Sequence, residues 1–372
     1  MVNFNVTPRN LKGWSSYYLD VVRITAAFIV LVAHALATSN RAFESNIFVA
    51  HLSHNAVVVF FVLSGFVISH TTYSTKRNAI EYFAARYGRL YSIMFAAVLL
   101  TVLCYLLGKG VHAPTISEYD QGNFATRALL SLFYLNEIWF LSAAPLINGP
   151  LWSLGYEFWY YIIFGLYTYR NNQKYTTLLL LMALLFVGPK ILVMMLIWLL
   201  GFVAYRANTK YRNIKNRRLI AIALVAISYV LALYMPAFPH KMGSAPLYWA
   251  SQYITDIFIG LFVALAFAFL PTNQEPAVPA KTKANKFVKW LSAMTFPLYV
   301  FHFPLLVLGK CFLQRLHATN VINIYYWAMT IIVFVIAIAL GHFLEKRKGW
   351  WDSFFALLFG KVRTKVKMVE RK

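Results

Sequence analysis

Cysteine, acidic side chains and long polar stretches are all scarce in this chain of 372 residues. Its two cysteines, Cys104 and Cys311, both lie in apolar stretches, which argues against a disulfide framework and against a cysteine-based metal site. Only 12 residues are Asp or Glu, and charged residues of both signs make up 13% of the chain. No internal repeat and no separate soluble domain is recognisable. So low a charged fraction argues against a soluble globular protein of this length.

Hydrophobic side chains dominate instead. They make up 60% of the chain, aromatic residues account for 17%, and the mean hydropathy is +0.60. These numbers, together with apolar stretches of about the length that crosses a bilayer, predict an all-α, polytopic transmembrane helical bundle. The stretches occur at 17–37, 55–73, 90–108, 151–169, 219–235, 249–270, 292–312 and 323–344.

The segment 175–205 decides the number of spans. It forms either one long helix or two short helices hinged at Gly188 and Pro189, because a proline after a glycine ends helices. Only two spans place the basic loop 206–218 on the same side of the membrane as the other basic loops. The prediction is therefore about ten spans with both termini cytoplasmic, which puts 27 of the 35 Lys and Arg residues inside.

This distribution of basic residues also explains the net charge of +23. The basic residues occur in short runs between apolar segments, where they set the topology, so we expect no binding to nucleic acid. The whole chain, 1–372, is predicted to form a single integral membrane domain with its core at about 17–345. A basic cytoplasmic tail, 346–372, follows the core, and its last part is expected to rest on anionic membrane lipids.

The first span contains three polar side chains that hydrocarbon disfavours. Arg23 and His34 are eleven residues, or three helical turns, apart, so both side chains project from one helix face about 16 Å apart. Asp20, three residues before Arg23, is placed to neutralise or orient the guanidinium. The simpler interpretation is a snorkelling arginine and a core histidine that hydrogen-bonds a neighbouring helix.

Two further arginines lie near the cytoplasmic end of the third span. Arg86 and Arg89 are three residues apart, so they share a helix face that suits phosphate groups. The alternative is an ordinary topological role for both charges. In the stretch FFVLSGF before them, Ser64 and Gly65 are interpreted as small residues that allow close helix packing.

Two other spans contain candidate site residues. Ser153 and Glu157 are four residues apart on one face, where the carboxylate could orient an imidazole or pair with a basic group elsewhere. His302 lies between Pro297 and Pro304, and two prolines in one span break the backbone hydrogen-bond ladder and often line a cavity. A hydrogen bond between helices is the simpler role for His302.

His51 and His54 are three residues apart, a spacing that could ligate a metal. No third ligand is visible, so no metal is predicted. Asp256, an acid within the eighth apolar stretch, has no assigned role.

Several of these stretches together resemble a known family, the acyltransferase-3 integral membrane acyltransferases that modify bacterial polysaccharides and related hydroxyl-bearing acceptors. Five motifs occur in the family's order between about residues 17 and 345. They are LDVVRITAAFIVLVAH, FFVLSGF, RYGRL, LWSLGYE and YVFHFPL. The resemblance implies a location in the bacterial inner (cytoplasmic) membrane.

The resemblance also implies roles for residues in these motifs. His34 would be catalytic, with Glu157 beside it as a further catalytic candidate. Acyl-CoA, most often acetyl-CoA in this family, would be a co-substrate and no cofactor would be permanently bound. The residues expected to bind the substrates are Asp20, Arg23, Arg86, Arg89, Trp152, Ser153, Tyr299 and His302.

The predicted function is transfer of an acyl group, most often acetyl, from cytoplasmic acyl-CoA to a hydroxyl of a glycan or of its lipid-linked precursor. His34 would deprotonate the acceptor hydroxyl, with Glu157 or His302 fixing its tautomer, or would itself form an acyl-imidazole. The rival interpretation is a transporter or flippase of a glycan or lipid-linked sugar, because intramembrane ionisable groups and proline-broken spans also mark substrate paths.

Overall fold

The structure is a computed structural model. It describes residue 11 and residues 13–39, 47–74, 77–170, 174–208, 214–271, 282–316 and 322–369. Within these ranges the chain contains helices, turns and irregular segments, and no strand. The all-α prediction is confirmed.

Eleven α-helices occur in the described ranges, and we number them in chain order. They are α1 (Trp14–Thr38), α2 (Ile47–Ser74), α3 (Ala79–Ser117), α4 (Phe124–Leu132), α5 (Leu151–Thr168), α6 (Lys174–Ala207), α7 (Arg217–Tyr234), α8 (Tyr253–Ala268), α9 (Lys283–Arg315), α10 (Ile322–Glu345) and α11 (Lys348–Val369).

Seven of these helices, α1, α2, α3, α6, α7, α9 and α10, are long and apolar enough to cross a membrane. Helix α8 is equally apolar but has only 16 residues. Each apolar stretch of the sequence corresponds to one of the helices, so the chain is a multi-pass membrane protein. The count of ten spans and the cytoplasmic position of both termini stay predictions.

Helix α3 begins eleven residues before its apolar stretch, because a capping box starts it. The side chain of Asn78 accepts a hydrogen bond from the Glu81 backbone N–H at 3.0 Å, and the Glu81 carboxylate accepts the Asn78 N–H at 3.2 Å. This cap extends the helix through a polar stretch that hydropathy alone leaves outside. Arg86 and Arg89 therefore lie in the second and third turns of a regular helix.

Proline has different effects in α6 and α9. Helix α6 breaks at Gly188, whose φ of 77° lies in the left-handed region that glycine tolerates, so the predicted hinge is confirmed. Helix α9, by contrast, stays helical across both Pro297 and Pro304. A proline in a long helix removes a hydrogen bond and bends the axis, but packing against neighbouring helices keeps the helix intact.

The described residues form two compact units. Unit 1 comprises those within 1–76 and 189–299, and unit 2 comprises those within 77–188 and 300–372. Unit 1 contains α1, α2, α7 and α8, whereas unit 2 contains α3, α4, α5, α10 and α11. The first part of α6 and the last part of α9 belong to unit 2, and the other parts of both helices belong to unit 1.

In unit 1, two glycines let α2 and α6 touch at the backbone. A Cβ atom on Gly65 would lie 2.0 Å from the carbonyl oxygen of Trp198, and one on Gly201 would lie 2.0 Å from that of Val62. The Trp198 indole donates a hydrogen bond to the Ser64 hydroxyl at 3.2 Å beside this crossing. The packing role predicted for Ser64 and Gly65 is confirmed.

Two side chains from other segments of unit 1 cap the C-terminal end of α8. The Asn208 amide donates hydrogen bonds to three carbonyl groups between Phe267 and Leu270 at 2.7–3.1 Å. Arg217 donates from Nε to the Phe269 carbonyl at 3.0 Å. These bonds satisfy carbonyl groups that the end of a helix leaves unpaired.

In unit 2, α11 packs along α3 through aromatic side chains. The Tyr87 ring lies 5.5 Å from the Phe355 ring and 5.2 Å from the Phe359 ring, and Tyr91 lies 5.6 Å from Phe355. The segment interpreted as the start of a basic tail is thus a helix that packs on a span. Its continuous apolar run, 354–359, is far shorter than a bilayer-spanning segment, so hydropathy does not reveal the helix. Other apolar side chains of α11 are exposed, namely Trp350, Phe354, Leu357 and Leu358.

Candidate active site

Arg23 and Asp20 are joined through a serine from a distant helix. The Ser292 hydroxyl, on α9, donates a hydrogen bond to Asp20 Oδ1 at 2.7 Å. The same hydroxyl accepts a bond from Arg23 Nη1 at 3.4 Å. Asp20 thus orients the guanidinium through Ser292, which is a structural basis for the relation predicted from their spacing.

His34 lies eleven residues further along α1 and is half-buried. It belongs to unit 1, as does Tyr299, whose ring is buried and meets Phe60 edge-on at 6.0 Å. The rise of a helix separates Arg23 from His34 by about 16 Å along α1. The catalytic role of His34 and the binding role of Tyr299 stay predictions.

Arg86, in unit 2, is a buried arginine held between aromatic rings. Only 6% of its surface is exposed, and its guanidinium carbon lies 5.7 Å from the centre of the Tyr82 ring and 5.9 Å from that of Tyr161. The Tyr82 hydroxyl donates to the Tyr161 backbone carbonyl at 3.0 Å, which positions the Tyr82 ring against the backbone of α5. Rings hold a guanidinium by its face, and its five N–H donors lie in its plane.

Glu157 is connected to this arginine through the same tyrosine. The Tyr161 hydroxyl donates a hydrogen bond to Glu157 Oε1, and Tyr161 is four residues further along α5, on the same face. Tyr161 therefore contacts the Glu157 carboxylate through its hydroxyl and the Arg86 guanidinium through its ring. Glu157 as the partner of a histidine stays a prediction.

Trp152 and Ser153 lie in the first turn of α5, and both are buried. The Ser153 hydroxyl donates to the Pro150 carbonyl at 3.2 Å, and the Trp152 ring meets Tyr156 edge-on at 5.3 Å. His302, in α9, is only 1% exposed. These positions are compatible with either a structural or a substrate-binding role, so the roles predicted for the three residues stay predictions.

A second polar cluster in unit 1 surrounds Asp256, the buried acid to which the sequence assigned no role. His54 Nε2 lies 2.9 Å from Asp256 Oδ2, and the Gln252 amide donates to Asp256 Oδ1 at 2.9 Å. The side chains of His54 and Asp256 are 2% and 0% exposed, so the pair is removed from water. Across the described ranges, no three His, Cys, Asp or Glu side chains are grouped as a metal site would require. His54 therefore takes part in a buried hydrogen-bonded pair.

Two residues that connect the predicted site residues were missed at the sequence level. Tyr161 had a usable signal, because it follows Glu157 by four residues in a helical stretch. Ser292 had none, because it is 269 residues from Arg23 and only the packing of α9 on α1 brings it there.

Comparison with known proteins adds independent findings. A family model described as an acyltransferase domain matches residues 16–342. An O-acetyl transferase of Shigella phage Sf6 is 26% identical over 251 residues, which cover 60% of this chain and 72% of that protein. Protein 2 in picA locus of Rhizobium radiobacter is 28% identical over 173 residues, covering 44% of this chain and 87% of that protein. No solved structure matches.

Proposed function

Because this chain belongs to the acyltransferase-3 family and is a membrane O-acyltransferase, we propose that it transfers an acetyl group from cytoplasmic acetyl-CoA to a hydroxyl of a glycan. The acceptor is a cell-surface or exopolysaccharide glycan or its lipid-linked precursor, and the protein resides in the bacterial inner membrane. The name of the phage Sf6 relative supports the acetyl group as the one transferred.

The observation that carries this proposal is the arginine pair of α3. Arg86 is buried against two tyrosine rings, and Arg89 follows one turn later and is half-buried. Guanidinium groups bind phosphate oxygens through charge-assisted, bidentate hydrogen bonds, and two arginines one turn apart share a helix face, so this pair favours a phosphate-bearing ligand. Acyl-CoA has several phosphates at one end and the reactive thioester at the other. The proposed donor fits both the arginines and the acyl-transfer chemistry.

The proposed chemistry centres on His34. Its neutral imidazole takes the proton of the acceptor hydroxyl while the hydroxyl oxygen attacks the thioester carbonyl carbon. The tetrahedral intermediate then collapses, the carbon–sulfur bond breaks, and the coenzyme A thiolate leaves and takes up the proton from His34. Arg23 is oriented by Ser292 and Asp20. It binds the donor at the end of α1 that the proposed topology places near the cytoplasm. An acyl-imidazole on His34, formed and then consumed by the acceptor, is the mechanistic alternative.

The test is transfer of label from acetyl-CoA by the purified protein. Wild-type protein in lipid nanodiscs is incubated with acetyl-CoA labelled in the acetyl group and with a glycan fraction from its host. We expect label in the glycan from the wild type and none from the His34→Ala variant, with equal protein abundance. His240→Ala removes an exposed imidazole from a loop and serves as the matched control with normal transfer.

Two results contradict the proposal. Transfer by His34→Ala at the rate of the wild type removes the histidine from the chemistry. In sealed proteoliposomes, movement of glycan across the membrane without any incorporation of label supports the rival transport function instead.

A further inference from the structure

Helix α11 crosses α3 at Gly88, between the two arginines of the proposed donor site. A Cβ atom on Gly88 would lie 2.0 Å from Asp352 Oδ1 and 3.0 Å from the Asp352 backbone nitrogen. Only glycine permits this approach, so Gly88 sets the distance between the two helices. The crossing places the start of α11 beside the turn of α3 that carries Arg86 and Arg89.

Lys348 is the residue of α11 that this crossing brings to the arginines. It precedes Asp352 by four residues, so both side chains project from the same face of the helix. Lys348 is half-buried. Loss of water lowers its pKa, and the charges of Arg89 and Arg86 act in the same direction, although Glu345 and Asp352 oppose them. A lysine thus stands close to two other cations in unit 2.

Two carboxylates, Glu345 and Asp352, oppose these positive charges. Burial raises the pKa of Asp352, although the charges of Lys348, Arg77 and Arg86 counteract this effect. Asp352 Oδ1 is a buried oxygen and accepts no hydrogen bond within the described part of the chain. Four cations, Lys348, Arg77, Arg86 and Arg89, thus outnumber two carboxylates, and the net positive charge of the cluster favours binding of an anion.

We propose that Lys348 is a third phosphate-binding residue of the donor site, which acts with Arg86 and Arg89 on the phosphates of acyl-CoA. The ligand rests on the proposed function, whereas the position of Lys348 rests on the crossing at Gly88. A bound phosphate relieves the repulsion among the three cations and accepts a charge-assisted hydrogen bond from the lysine. Helix α11 is then part of the donor site, not only a membrane-associated tail.

The test is binding of coenzyme A to purified protein in neutral detergent, measured by calorimetry. Lys348→Gln is compared with the wild type and with Lys346→Gln, a matched loss of charge at an exposed position two residues away. We expect Lys348→Gln to raise the dissociation constant about tenfold, the amount that loss of one hydrogen bond to a charged group supports. Lys346→Gln should bind as the wild type does. The KM for acetyl-CoA should rise with the dissociation constant while kcat is kept.

Two further measurements separate charge from packing. Lys348→Arg keeps the charge and should restore most of the affinity. With a phosphate-free donor, S-acetyl-N-acetylcysteamine, Lys348→Gln and the wild type should react at equal rates. A defect in Lys348→Gln that persists with this thioester, or one that Lys348→Arg shares in full, means that the side chain supports the fold and overturns the inference.

Phosphate groups of anionic lipids are the other source of the same chemistry. If Lys348→Gln binds coenzyme A normally in detergent and differs from the wild type only in anionic nanodiscs, the lysine binds lipid headgroups and the inference is wrong. The outcomes also distinguish this inference from the proposed function. If the wild type does not bind coenzyme A, both the proposed function and the role of Lys348 are refuted. If the wild type and Lys348→Gln bind coenzyme A equally tightly, only the role of Lys348 is refuted.

Discussion

The contact between α2 and α6 in unit 1 predicts opposite effects for the same substitution at two glycines. Gly65→Ala adds a methyl group where the Trp198 carbonyl oxygen is 2.0 Å away. The obstacle is backbone, so no side-chain rotation can relieve the clash, and the helices must separate. Gly110→Ala adds the same group to α3, where no atom lies within 4 Å.

The size of each effect follows from these surroundings. At Gly65 the 2.0 Å contact is 1.4 Å shorter than the 3.4 Å at which ordinary contact begins. Overpacking of this kind lowers the free energy of unfolding by about 1–3 kcal/mol. Separation of the helices also weakens the hydrogen bond between Trp198 and Ser64, which contributes about 0.5–1.5 kcal/mol. This loss offsets the gain of about 1 kcal/mol that alanine, a better helix former than glycine, provides. At Gly110 only the gain applies, so the free energy of unfolding rises by about 0.5–1 kcal/mol.

The assay is thermal unfolding of both variants and the wild type in the same detergent, followed by tryptophan fluorescence and by the monodisperse fraction that survives heating. Gly65→Ala should unfold at a lower temperature than the wild type, and Gly110→Ala at a slightly higher temperature. Shifts in the same direction, or an unchanged Gly65→Ala protein, would show that the glycine is not what holds α2 and α6 together.

Two other predictions concern the buried acid and the topology. Asp256→Ala removes the acceptor of the buried His54 imidazole and of the Gln252 amide, so the free energy of unfolding should fall by about 1–3 kcal/mol in the same thermal assay. An unchanged unfolding temperature contradicts a stabilising role of this pair. A cysteine at position Lys286 should resist a membrane-impermeant thiol reagent in intact spheroplasts and react with it after lysis. A cysteine at position Gln121 should react in intact and in lysed spheroplasts. The reverse pattern would invert the orientation derived from the basic residues.

Much of the helical architecture follows from the sequence alone, because hydropathy and periodicity are local properties. A stretch of about 20 apolar residues can satisfy its backbone in a bilayer only as a helix, whichever neighbours it later meets. The spacing of Arg23 and His34 places them on one face of α1 for the same reason. The hinge at Gly188 and the close packing at Gly65 were predictable too, since each depends on the conformational freedom or the small size of a glycine.

The partners of the polar side chains follow only from the tertiary structure. Ser292 links Asp20 to Arg23 from more than 260 residues away, and Asp256 meets His54 across 202 residues. Hydropathy also does not reveal the start of α3, although the capping box that extends this helix is itself a local pattern, Asn78 followed by Glu81. Hydropathy does not reveal α11 either. This helix packs on α3 because Gly88 has no side chain and leaves space for Asp352. A single helix specifies which side chains share a face, but packing determines which face of another helix lies opposite, and no pattern within either segment contains that information.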